Sequence, residues 1–368
     1  MKINWPRIHW FFYVLIFILI LGWSYLFFAY GLPFLLPDKV VSNGEVSGLL
    51  IRNQIWEGEV RIVGDIFTLP GTKVVVRPGT VVKISTLGDR FNFYYWPWLL
   101  KSGINTGPDY HGVYTNEPFW DEGQKIQIYF SQLEALGTKE QPIYFISAAT
   151  QSSRYDINSI TVDHGIIASA LFANYRRLNI KNNVVVRDSI LKESGECNLC
   201  ISGGKPSVID NQFEQSLRQS ILVEGGSPRI SNNLFVNLSG DGVVVDPQRV
   251  GTPEIVNNVF EMPGNTALIL LSGLDIKPGI VQYNKFSGNS IIKIACDSQI
   301  KFSQNSILGL VDFIGSGCAG EYTFGPNYWG VNDAKTLLQE RILNKGREFK
   351  VNLPVILTVP PLGVGRKF

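Results

Sequence analysis

Cys197 and Cys200, in the stretch CNLC, have the spacing of a metal half-site or a redox dithiol. Zinc asks for four ligands, and neither a second close cysteine pair nor a histidine lies near enough in sequence to complete the set. A thioredoxin-like dithiol needs a βαβ setting, which the flanking residues do not supply. The pair therefore reads as two corner residues, free or joined. Only His111 and His164 lie outside the N-terminal apolar region, which argues against a histidine metal site or a His-dependent triad. Eliminative cleavage of a uronate polymer takes carboxylates clustered around Ca²⁺ and a Lys or Arg base. Hydrolysis takes two or three facing carboxylates. Asp241, Asp246, Arg249, Asp275 and Lys277 are of the right types. Their offsets from the repeat mark described below differ, so they read as solvated loop residues. No catalytic residue is assigned, and no cofactor and no metal is expected.

The richest binding chemistry is in Thr86–Lys125, where ten aromatic side chains are followed directly by two carboxylates. Tyr94, Tyr95, Trp96, Trp98, Trp120, Asp121 and Glu122 are the candidate ligand-binding residues. Aromatic faces stack on the apolar face of a pyranose, and carboxylates accept its hydroxyl hydrogens. Two other readings stand beside this one. The segment folds on itself as a plug with the rings as its core, or it lies on a membrane surface, where Trp and Tyr favour the headgroup zone.

The elements that must position these residues begin with Trp10–Pro37, a run without a charged residue. It exceeds the ~20 residues that a helix needs to cross a bilayer. Lys2 and Arg7 precede it, and Asp38 and Lys39 follow. That bias favours a cytoplasmic N-terminus and a body outside the cell membrane, in a single pass. A cleaved signal peptide is the alternative, with Ala29 and Gly31 as small residues for a peptidase. The net charge of +2 is carried by Lys2 and Arg7, and the remaining 31 basic and 31 acidic residues balance. A neutral body offers no electrostatic case for nucleic acid.

Beyond residue 180 the chain repeats. "GGKPSVIDNQF", "GGSPRISNNLF" and "VGTPEIVNNVF" share an Asn that recurs at Asn211, Asn233, Asn258, Asn284, Asn305 and Asn327, at steps of 21 to 26 residues. Three residues before each mark, and two after it, stands an apolar side chain. Asp188, between Val185 and Ile190, extends the series upstream. Such a period means a stacked array. Short alternating β-branched and aromatic pieces separated by Gly, Pro, Asn and Asp leave no room for paired helices. The reading is all-β: a right-handed parallel β-helix with an asparagine column at one corner and apolar ladders inside. Asn suits that corner because it tolerates positive φ. Cys296 and Cys318 each lie nine residues before a mark. That places them on adjacent coils at a spacing compatible with a disulfide.

"IWEGEVRIVGDIFTLPGTKVVVRPGTVVKI" (residues 55–84), "LEALGTKEQPIYFIS" (133–147) and "GPNYWGVNDAKTLLQERI" (325–342) resemble the coils of prokaryotic membrane-anchored or surface right-handed β-helix proteins. These belong to the pectate-lyase-like and copper-binding-periplasmic-protein-like β-helix superfamily. The resemblance implies a fold but no single activity, because relatives include lyases, hydrolases, epimerases and plain surface proteins. "VDH" (Val162–His164) also resembles a pectate lyase segment without the surrounding pattern.

The expected organisation is a cytoplasmic N-terminus (1–9), an anchor (10–37), a stalk (38–54), a β-helix (55–330) with the aromatic insertion (86–125), and a cap helix with a strap (331–368). Asn332 is the expected N-cap, with Ala334, Leu337, Leu338 and Ile342 on one helical face. The expected role is a non-catalytic envelope scaffold or a module binding glycan or a protein partner. The alternative is a polysaccharide lyase or hydrolase using a lateral groove.

Overall fold

Alternating inward and outward residues, broken by turns three times per coil, wind this chain into a stack of parallel coils. The computed structural model describes residues 5–86, 125–246, 251–271, 279–296, 298–315, 320–343 and 349–365. Nearly all described strands join one parallel sheet that bends through three walls. The first wall carries the column Ile221, Val243, Leu268, Ile292 and Val311 inward. The third carries Val208, Ile230, Ile255, Val281 and Phe302. The second carries Leu191, Phe213, Phe235, Phe260, Phe286 and Ile307. Its phenyl rings stack at centroid distances of 5.0, 4.6 and 4.8 Å from Phe213 to Phe286. Fully buried aromatics of this kind supply much of the apolar area removed from water.

Between the third and second walls the six marked asparagines form one buried column. Each Oδ1 from Asn233 onward accepts both the backbone N–H and the Nδ2–H of the asparagine one coil earlier, at 2.9–3.1 Å. Each Nδ2 also donates to a third-wall carbonyl of the preceding coil, as Asn258 does to Ile230 at 2.9 Å. Only a side chain with an acceptor and two donors meets both demands, which explains why the residue type repeats.

Positive φ does not fall on these asparagines. It falls on the residue before each of the first five, Asp210, Asn232, Asn257, Tyr283 and Gln304, whereas Pro326 stands before Asn327. The upstream extension is likewise shifted by one. Asp188 takes the positive φ, and the Ser189 N–H donates to Asn211 Oδ1 at 3.1 Å. Val186 and Leu191, not Val185 and Ile190, face the core there. The doublets Gly203–Gly204 and Gly225–Gly226 are stacked corners. Gly226 has φ +85°, and a Cβ there would lie 2.4 Å from the Gly204 carbonyl oxygen.

The residues expected as a stalk are mostly strand. β1 (Lys39–Leu50) pairs in parallel with β2 (Gln54–Thr68) and forms the first coil. Lacking an Asn mark, it could not be counted with the repeat. Below it stand α1 (Trp5–Leu26), a π-helical turn (Phe27–Gly31) and α2 (Leu32–Leu35). Phe12–Leu35 is long and apolar enough to cross a membrane, and almost all of it is bare of protein contact.

At the far end, Trp329 is buried and α3 (Ala334–Glu340) follows. Its N-cap is Asp333, not Asn332. The Asp333 carboxylate accepts from the Thr336 hydroxyl at 2.6 Å and from the Thr336 N–H at 2.8 Å, and these two bonds, the hydroxyl's first, lower its pKa. Within this helix Leu337 is buried, whereas Leu338 is exposed. The strap then runs back over the coils. Ile356 pairs with Asn327, and the Gly365 N–H reaches the Tyr283 carbonyl at 2.7 Å.

Candidate functional site

The outer face of the first wall collects the polar side chains that the repeat does not explain. Eight residues beyond Ser189, Asn211, Asn233 and Asn258 of the corner column stand Cys197, Gln219, Asp241 and Thr266. Cys197 pairs with Gln219, and Gln219 with Asp241. The next outward column runs Leu222, Val244, Ile269, Lys293 and Asp312.

The part of this face nearer the anchor is a polar network. Glu196 accepts from Arg176 at 3.0 Å, with Arg177 at 3.8 Å. Asn179 donates to Thr161 at 3.2 Å, and Asn182 to Asp163 at 2.8 Å. "VDH" is thereby accounted for as strand: Val162 is core, Asp163 lies in this network, and His164 is exposed, 3.5 Å from Asp163. Burial first, then the charge and hydrogen bond of Asp163, raises the Tyr129 phenol well above its ordinary pKa.

The part farther from the anchor is more apolar. Asp241 lies there on a strand, half-buried, and not in a solvated loop. Burial raises its carboxyl above the ordinary value, opposed by the Thr266 hydroxyl and by Lys293. Counting backward from Asn258 crosses a turn of variable length and hides this position, whereas counting forward from Asn233 finds it. Arg249, Asp275 and Lys277 lie outside the described residues.

Cys197 and Cys200 form a disulfide with Cα atoms 5.9 Å apart. They lie within the strand Ser194–Ser202, not at a corner. Three residues, Cys197 to Cys200, advance against two, Arg177 to Asn179, so the bridge spans a bulge. Cys296 is also disulfide-bonded, and Cys318 lies outside the described residues.

Tyr94, Tyr95, Trp96, Trp98, Trp120, Asp121 and Glu122 also lie outside the described residues. The roots of their segment are described. Thr86 follows the second-wall strand Val81–Ile84, and Lys125 precedes the strand Gln127–Leu136, whose first residues belong to the first wall. Lys125 donates to the Tyr155 carbonyl at 2.7 Å, and the Tyr155 hydroxyl lies 3.5 Å from the Gly195 carbonyl, beside Glu196. The insertion thus returns to the body next to the polar network. Among the described residues no group of three His, Cys, Asp or Glu side chains is placed to hold a metal ion.

The family model for the right-handed beta helix region matches residues 148–291. No curated protein and no solved structure matches the chain. The matched span contains the phenylalanine stack and the start of the asparagine column, and the chain is a right-handed parallel β-helix with one N-terminal apolar helix.

Proposed function

We propose that this protein is a single-pass membrane-anchored β-helix, N-terminus cytoplasmic and body outside the cell membrane, serving as a non-catalytic envelope scaffold or binding module. The observation that carries this reading is the junction. A bare apolar helix ending at Leu35 passes within three residues into β1 of the first coil. A solenoid mounted so directly on an anchor holds its outer faces at set distances from the bilayer. The aromatic insertion, rooted beside the polar network, is the contact surface for polysaccharide or an envelope protein. Glycan-array binding by the purified chain that disappears in a Trp96→Ala, Trp98→Ala, Trp120→Ala variant is the expected result. Binding unchanged in that variant removes the insertion from the account.

A second reading, a polysaccharide lyase or hydrolase, is favoured by one observation. Asp241 is a half-buried carboxyl with a raised pKa on a lateral face, as a general acid needs to be. Release of reducing ends or unsaturated uronates from a polysaccharide panel, abolished by Asp241→Asn, would establish it.

A further inference from the structure

Pro33 lacks an N–H, so the Ala29 carbonyl, four residues earlier in the anchor, has no α-helical donor at that position. The donor it receives comes from the β-helix: the Gly71 N–H, at 2.9 Å. Ala29 and Pro33 are correspondingly the buried residues of the anchor's last turns. Gly71 has no positive φ that would require glycine. What it lacks is room, since a Cβ there would lie 2.9 Å from both the Ala29 carbonyl oxygen and the Tyr30 Cα. The Leu69–Thr72 turn that follows β2, in the second coil, is thus fitted against the anchor backbone.

That contact fixes a depth. Ala29 lies six residues before Leu35, the last residue of the candidate span, or about 9 Å along the axis at ~1.5 Å per residue. The turn therefore stands level with apolar helix, not beyond it. Its backbone suits such a place. The Leu69 N–H bonds to Leu50, Pro70 has no N–H, Gly71 bonds to Ala29, and Thr72 bonds back to Leu69. The Ser131 hydroxyl lies within 2.7 Å of the Leu69 and Thr72 carbonyl oxygens. Donors satisfied internally are what lipid demands of a backbone. Leu49 and Ile51, 41% and 40% exposed, flank the Leu50 carbonyl that holds the turn. Pro70 is exposed beside them.

We propose that this corner of the first two coils (Leu49 and Ile51 on the first, Leu69–Gly71 on the second) is a second membrane contact, seated in the headgroup–acyl boundary of a phospholipid bilayer. The proposal rests on the anchored reading above. It makes the first two coils a foot that sets the tilt of the solenoid, in addition to the tether provided by the helix.

The test uses the full chain in phosphatidylcholine–phosphatidylglycerol vesicles, without reductant so that the native disulfides stay closed. Leu49→Cys, Ile51→Cys and Pro70→Cys are labelled with an environment-sensitive fluorophore. Lys205→Cys, on an exposed turn several coils away, is the reference. Spin-labelled lipid is expected to quench the three foot positions several-fold more than the reference. In a Gly71→Val background the chain still floats with vesicles, and the foot positions fall to the reference level. A chain that does not float overturns the anchored reading and this one with it. A chain that floats with foot labels no more quenched than Lys205 overturns the foot alone. Foot labels shielded from aqueous iodide but not reached by lipid quencher mean that protein covers the corner, which also overturns it.

Discussion

The corner between the third and second walls and the outer face of the first wall are built from the same coils, yet they follow opposite rules. At the corner one residue type returns in coil after coil, because each asparagine serves the one before it. On the outer face Leu222, Val244, Ile269, Lys293 and Asp312 succeed one another with no common chemistry. A position whose partner is its own copy one coil away is constrained to repeat. A position facing outward is free to vary. Identity between coils therefore reports the fold, and departure from identity marks the places where function is to be sought.

Mutations sharpen the contrast. Phe260→Ala removes a ring stacked on both sides and leaves a cavity in the second-wall ladder. The expected loss is about 3–5 kcal/mol, read from the denaturant midpoint of the full chain in detergent. Asn258→Ala takes the acceptor from the Asn233 N–H and Nδ2–H and the donor from the Ile230 carbonyl, all in the interior. At about 1–3 kcal/mol for each buried group left unpaired, with partial relaxation, a loss of about 2–4 kcal/mol is expected. Gln219→Ala, on a neighbouring coil but facing out, is expected to stay within about 0.5 kcal/mol. Equal losses at Asn258 and Gln219 would break the comparison. At the capped end, Asp333→Ala is expected to cost about 1 kcal/mol through the lost N-cap.

The smallest effect concerns pH. Asp241 holds its proton more tightly in the folded chain than in the unfolded one. As pH rises from the ordinary carboxyl value through the raised folded value, the unfolded chain ionises first and stability falls. Asp241→Asn should flatten that slope in acid denaturant titrations and leave the chain slightly more stable at neutral pH. A steeper slope in the variant would contradict the assignment of burial as the main cause.

The legibility of the sequence follows the same division. Asn211 to Asn327 could be read because a two-way hydrogen-bonded column tolerates little else. Asp188 misled by one position because its short polar side chain resembles the mark, while it is Ser189 that occupies the column. Tolerance of positive φ points to the asparagines themselves, yet the positive φ belongs to the residue before five of the six, since the amide side chain must point inward. The first coil was hidden because β1 has no copy elsewhere in the chain. The match between Gly71 and Ala29 joins residues far apart in sequence through a missing Cβ and a missing N–H, and neither absence forms a pattern. The aromatic cluster of the insertion was legible as composition, but composition does not say what the rings face.

Coil stacking itself is tested most directly by distance. Thr161, Leu222 and Asp312 belong to one outward column, with three coil steps from Thr161 to Leu222 and four from Leu222 to Asp312. Nitroxide pairs on the full chain, measured by pulsed dipolar spectroscopy, should give backbone separations near 19 Å for Leu222–Asp312 and near 34 Å for Thr161–Asp312, at ~4.8 Å per coil. Separations that follow the number of coils and ignore the number of intervening residues are the predicted result. Separations that do not grow with coil number would contradict the stacked solenoid and the roles argued from it.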